Sequence, residues 1–189
     1  MNANVIVPPA KPRLTYNDAV AWMSAYGLSY RFALVGQRGY YRDQLGKPGV
    51  NDRGIYDDEI SLVTPEEDEF KTFNANTDPS IQKPGTAVLI PGKWLYKLGI
   101  HGLNKPVDKQ YEALVQAAPV TVLRDGQSTP MTGYYGINIH KGSRSSTSSL
   151  GCQTIYPDQW SGFINSVKAA MIKYERSKIL YLLTVRPNA

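Results

Sequence analysis

The spacing of hydrophobic and polar positions changes several times along this chain, and each change predicts an element. The first thirteen residues, MNANVIVPPAKPR, hold three prolines and little apolar period, so an extended arm is expected over 1–13, with a single domain over 14–189. Over 15–26, Ala19, Val20, Trp22 and Met23 recur at helical spacing. Thr15 with Asp18 makes a capping pair and Gly27 a stop, which predicts a helix. From Tyr30 to Val107 the apolar runs shorten and are broken by Gly, Pro, Asn and Asp. Strands are expected at 30–37, 55–63, 69–73, 87–90 and 94–100. A short helix is expected over 108–118, capped by Asp108 and stopped by Pro119, then strands at 120–124 and 134–140. Over 157–174, Trp160, Phe163, Ile164, Val167 and Met171 form one apolar stripe behind Pro157 and Asp158, which predicts a helix packed on the core. The last run, 178–186, is almost continuously apolar and predicts a central closing strand. Many short strands with Pro/Gly turns and few helices indicate a mainly β (α+β) sandwich or barrel.

The segment 141–149, KGSRSSTSS, interrupts this pattern. Five of its nine residues are serine and none is apolar. Only forty residues follow it, too few for a second domain, so it is read as a loop inside the domain rather than a linker.

Composition then limits the chemistry. The chain of 189 residues has one cysteine, Cys152, and two histidines, His101 and His140. No internal disulfide, Cys-rich cluster or His-rich zinc site can be assembled from these, so neither a metal nor a cofactor is expected. The formal net charge of +5 suits an anionic polymer. The basic residues are scattered with no run of four or more, and nucleic acid is not an expected partner. No apolar run approaches the eighteen residues of a membrane span. The acidic groups Asp57-Asp58-Glu59 and Glu66-Glu67-Asp68-Glu69 are read as solvated loops or helix starts.

The segment 136–155, GINIHKGSRSSTSSLGCQTI, orders these few residues in a chemically sensible way. A strand ends at His140, a polar loop follows, and Ser149-Leu150-Gly151-Cys152 precedes a helix. A histidine within reach of a cysteine takes the thiol proton and returns it to a leaving amine. Gly151 allows a carbonyl to approach the main chain, where the Gly151 and Cys152 amides can hold an oxyanion. The group that orients His140 stays open between Asn138 and a main-chain carbonyl. Gly99-Ile100-His101-Gly102 ends another strand, and His101 is expected to line the same cleft. It lies 51 residues before Cys152, so His140 is preferred as the base.

This segment resembles the active-site motif of the L,D-transpeptidase (YkuD-like) catalytic domain. That motif is a strand ending in Ile-His-Gly, a variable loop, and Ser/Thr-x-Gly-Cys followed by an aliphatic residue and arginine. Ile139-His140 matches the strand end, with Gly142 one place late, and Ser149-Leu150-Gly151-Cys152 matches the nucleophile signature. The resemblance implies an L,D-transpeptidase-like fold in which a peptidoglycan stem peptide acylates Cys152 and His140 serves as base and acid. Gln153-Thr154 stands where the family has its aliphatic-Arg pair, and Arg144 is the loop cation that could replace the missing arginine. The loop is also shorter than in typical members. No cleavable signal is visible, so the chain is expected to be made in the cytoplasm and to act on the wall after holin release or secretion-system delivery, as compact phage lysis enzymes and delivered toxins do. The expected activity is hydrolysis of stem peptides. The alternatives are cross-linking or exchange of D-amino acids through the same thioester, and a non-catalytic wall-binding or virion structural role.

Overall fold

The computed structural model describes residues 6–186 as eleven strands and two α-helices. Helix α1 (Tyr16–Ala25) begins as the capping pair predicts. Thr15 Oγ1 accepts the Asp18 N–H at 3.2 Å and the Asp18 carboxylate accepts the Thr15 N–H at 3.1 Å. The strands are β1 (Ala33–Arg38), β2 (Asp58–Val63), β3 (Lys71–Asn76), β4 (Ala87–Leu89), β5 (Gly92–His101), β6 (Tyr111–Gln116), β7 (Val120–Arg124), β8 (Met131–Gly133), β9 (Ile139–Lys141), β10 (Gln153–Ile155) and β11 (Ile179–Val185). Helix α2 (Pro157–Lys173) lies between the last two.

Eight strands close into a barrel in the order β1-β11-β5-β6-β9-β10-β3-β2, and β4-β7-β8 form a small second sheet. Closure leaves each barrel strand paired on both sides. Strand β11 runs parallel to β1 and antiparallel to β5, and it is apolar from Ile179 to Leu183, where neighbours cover both of its faces. Ile179, Tyr181 and Leu183 join the main core with Tyr96, Phe73 and the α2 stripe, while Leu182 joins Tyr16, Ala19 and Met23 under α1. Trp160, Phe163, Ile164, Val167 and Met171 are all buried, as the stripe predicts.

Three expectations are corrected, the first being the strand at 134–140: residues 134–138 form no strand, and only Ile139–Lys141 pairs, as β9. The segment 108–118 is not a helix. A short 3₁₀ turn, Val107–Lys109, leads into strand β6, which pairs with β5 from Tyr96↔Gln116 to His101↔Tyr111 and with β9 at Leu114↔Ile139. Asp108 and Pro119 are good helix punctuation, but the barrel cannot close without a strand between β5 and β9, and pairing overrides local propensity.

The acidic run 57–59 is not solvated. Asp57, Asp58 and Glu59 are each 0% exposed. Asp58 accepts hydrogen bonds from the Gly39 N–H at 2.5 Å, the Thr77 N–H at 2.6 Å and the Thr77 hydroxyl at 2.8 Å. Burial, then the Asp58 charge, pushes the Asp57 carboxyl up to about 9, and the same two causes push Glu59 well above its ordinary range. Asp58 itself is raised to about 6, by burial first and then by Asp78, against the pull of Arg38. At neutral pH Asp58 is therefore the ionised member, which matches its three donors. The run 66–69 is a surface turn, with Glu69 ion-paired to Lys173 at 2.6 Å.

Residues 6–13 form no helix or strand and lie along the barrel. Ala10 O accepts from Tyr41 Oη at 3.3 Å and Asn74 Nδ2 at 3.2 Å, and Pro12 O accepts from Thr72 Oγ1 at 2.9 Å. The first five residues of the expected arm and 187–189 at the end of the expected domain lie outside the described residues.

The serine-rich loop has a topological reason. Strands β9 and β10 are parallel neighbours, with Gln153↔Ile139 and Thr154↔His140. Parallel neighbours cannot be joined by a tight turn, so residues 142–152 make the crossover. The loop is tied down at both ends. Tyr56 Oη donates to Ser143 O at 2.7 Å, and Ser80 Oγ meets Thr147 Oγ1 at 2.6 Å and accepts the Ser149 N–H at 2.7 Å.

Candidate functional site

The register of β9 and β10 builds the site. Gln153 N–H donates to Asn138 O at 2.9 Å, which sets Cys152 beside Asn138 and two residues back from the level of His140. The sulfur accepts the Asn138 N–H at 3.4 Å and donates to Gly136 O at 3.3 Å. These are its hydrogen-bond partners among the described residues, and neither imidazole is one of them.

Both histidines nevertheless converge here. His101 ends β5 and His140 lies in β9, and their rings stack with centroids 4.0 Å apart and planes 21° from parallel. His140 Nδ1 lies 2.8 Å from Lys141 O, which makes Nδ1 the protonated nitrogen and leaves the Nε2 lone pair free. The main-chain carbonyl of Lys141 is thus the group that orients His140. Asn138 serves the other ring: its Nδ2 donates to His101 Nδ1 at 3.2 Å, so neutral His101 carries its proton on Nε2. Asn138 therefore touches the thiol through its main chain and His101 through its side chain. Tyr111, at the start of β6, places its Oη 3.3 Å from His140 Nδ1 and donates to Lys141 O at 3.3 Å.

The electrostatics favour neutral groups. Burial, then the charge of His101, lowers His140 to about 4, while the Lys141 carbonyl pulls the other way. Burial lowers His101 as well. Burial raises the Cys152 thiol, opposed by the Asn138 N–H. The resting pair is a thiol and a neutral imidazole, so deprotonation must accompany attack.

The Ser-x-Gly-Cys turn is a self-contained hydrogen-bonded unit. Ser149 Oγ accepts the Gly151 N–H at 3.0 Å and donates to Cys152 O at 2.6 Å. The Gly151 amide is thereby occupied, and of the two amides proposed for an oxyanion the Cys152 N–H is the one left. Gly151 has φ +131°, and a Cβ there would sit 2.5 Å from Ala87 O, so the position admits only glycine. Arg144 is directed elsewhere: its guanidinium forms an ion pair with Asp158 in the first turn of α2, at 2.5 and 2.9 Å. Gln153 is buried, and its amide links Gly151 O at 3.2 Å to Tyr181 Oη at 3.3 Å.

Tyr111, Tyr56 and Ser80 are the site-supporting residues that sequence reasoning missed. They come from distant segments, and no local pattern marks them. Among the described residues no group of three or more His, Cys, Asp or Glu is placed to hold a metal ion, and no helix is long and apolar enough to cross a membrane. No family model, curated protein or solved structure matches the chain.

Proposed function

We propose that this protein is a cysteine enzyme of L,D-transpeptidase type that cleaves peptidoglycan stem peptides. The observation that carries the reading is the convergence at one end of the β9/β10 pair of the sole cysteine and both histidines, linked through Asn138 and Tyr111. The substrate class comes from the resemblance of Ile139-His140 and Ser149-Leu150-Gly151-Cys152 to the family motif.

In this reading His140 Nε2 takes the Cys152 proton as the sulfur attacks the scissile carbonyl carbon. The Cys152 N–H holds the oxyanion. Collapse breaks the C–N bond, and the imidazolium returns its proton to the departing amine. Water then adds to the thioester, His140 takes its proton, and the acid leaves as the thiol is restored. The test is to incubate the protein with purified muropeptides and follow them by mass spectrometry. Shortened stems with wild type and intact stems with Cys152→Ala support the reading. Intact stems with wild type, or equal cleavage by the variant, overturn it.

A non-catalytic wall-binding role is favoured by one observation: the sulfur is held by two main-chain groups and neither ring. That role predicts sacculus binding unchanged by thiol alkylation, with no cleavage.

A further inference from the structure

Ile139, Ile155 and Ala75 belong to the main core and come from three neighbouring strands, β9, β10 and β3. Alternation along each strand turns the adjoining residues, His140, Thr154 and Asn76, to the opposite face. The pairing sets these three in one row, with Thr154 level with His140 on one side and with Asn76 on the other. Ladder partners hold their Cβ atoms about 5 Å apart, so Thr154 is a direct neighbour of both. Thr154 and Asn76 are each 0% exposed. Yet Thr154 Oγ1 and both polar atoms of the Asn76 side chain, Oδ1 and Nδ2, have no hydrogen-bond partner among the described residues. Buried polar groups left unmet cost stability unless something meets them.

The chemistry of the row limits what that is. With both residues fully buried, the group that meets them is small. A hard cation would take the two oxygens and leave the Nδ2 donor unmet. Water both donates and accepts, and a buried water takes about three hydrogen bonds, which these three atoms offer. His140 stands at the end of the row with its Nδ1 turned to Lys141 O, so Nε2 is the nitrogen left to accept a proton.

We infer that Thr154 and Asn76 hold the water that hydrolyses the Cys152 thioester, beside the base that activates it. The inference rests on the reading of Cys152 as nucleophile, and it adds the residues that commit the acyl-enzyme to water rather than to an amine. His140 Nε2 takes a proton from this water as the oxygen attacks the thioester carbonyl carbon. The C–S bond then breaks, the acid departs, and the imidazolium returns the proton to the thiolate.

The probe is p-nitrophenyl acetate with the full chain. The p-nitrophenolate burst reads acetylation of Cys152, and intact mass after removal of the ester reads decay of the adduct. Thr154→Val and Asn76→Leu keep the shape and remove the unmet polar atoms, so both should fold with a urea midpoint no lower than wild type. In each, the acetyl-enzyme should decay at least tenfold more slowly, while the burst rate stays within twofold. Glycinamide, which brings its own nucleophile, should release the acetyl group from wild type and variants at equal rates. Decay as fast in the variants as in wild type, or burst, decay and aminolysis all slowed alike, overturns the inference while the cysteine reading stands. A wild type in which Cys152 is never acetylated overturns both.

Discussion

At the scale of single residues, the site depends on which nitrogen holds a proton and which glycine lacks a Cβ. His140 is lowered to about 4 by burial and the neighbouring His101, so its Nε2 is unprotonated at neutral pH. A base is lost when it protonates, so activity falls as pH drops through the folded-state pKa. The acid limb of kcat/KM is therefore expected near pH 4 rather than near 6.5, and the His140 ring resonances should titrate with it. An acid limb at or above 6.5 would show that His140 is not the base. Gly151→Ala forces a Cβ against the Ala87 carbonyl at a φ that L residues rarely adopt. It should cost about 3 kcal/mol of stability, read as a lower urea midpoint, and should abolish turnover. The Cys152, His140 and Gly151 positions are readable in the sequence because they share one short segment. Asn138 was a candidate partner for His140, but its side chain bonds to His101. Tyr111 could not be read at all, because it reaches His140 only through the pairing of β5, β6 and β9.

At the scale of elements, α1 and α2 were legible because caps and apolar stripes are local. The strands were legible as apolar runs, but their partners were not. Strand β6 shows why: Asp108 and Pro119 point to a helix, and only the need to bridge β5 and β9 makes the segment a strand. The crossover 142–152 reads as flexible serine-rich chain, yet Tyr56 and Ser80 hold it in place from outside the motif. Tyr56→Phe removes the hydroxyl that donates to Ser143 O at 2.7 Å and Ser146 O at 3.2 Å. It should cost about 1–3 kcal/mol and speed amide hydrogen exchange in the loop, with little change elsewhere. Uniform exchange protection in the variant would show that the loop is held by other means.

At the scale of the whole molecule, the closed barrel buries a set of carboxyls that the sequence suggested would be solvated. Asp57, raised to about 9, and Glu59, raised further, are protonated in the fold at neutral pH but ionised when unfolded. For acids raised by folding, stability is full below the unfolded pKa and is lost as pH climbs through the folded one. His140 acts oppositely, losing stability as pH falls from about 6.5 toward 4. Above about pH 6.5 the His140 contribution is complete and the carboxyls act, joined near pH 9 by the buried Cys152 thiol, so the urea midpoint should fall steadily from there to about pH 9. Asp57→Asn should flatten that fall, and an unchanged slope would show that Asp57 is not its source. The same barrel brings β5, β6, β9 and β10 side by side and so gathers one thiol and two imidazoles from 189 residues. The most direct measurement of what they do is the intact mass of the protein quenched in acid during reaction with a purified tetrapeptide muropeptide. If Cys152 is the nucleophile, an added mass equal to the acyl part of the stem is expected, mapped to Cys152 and absent in Cys152→Ala. Turnover with no adduct, in a Cys152→Ala variant as active as wild type, would contradict it.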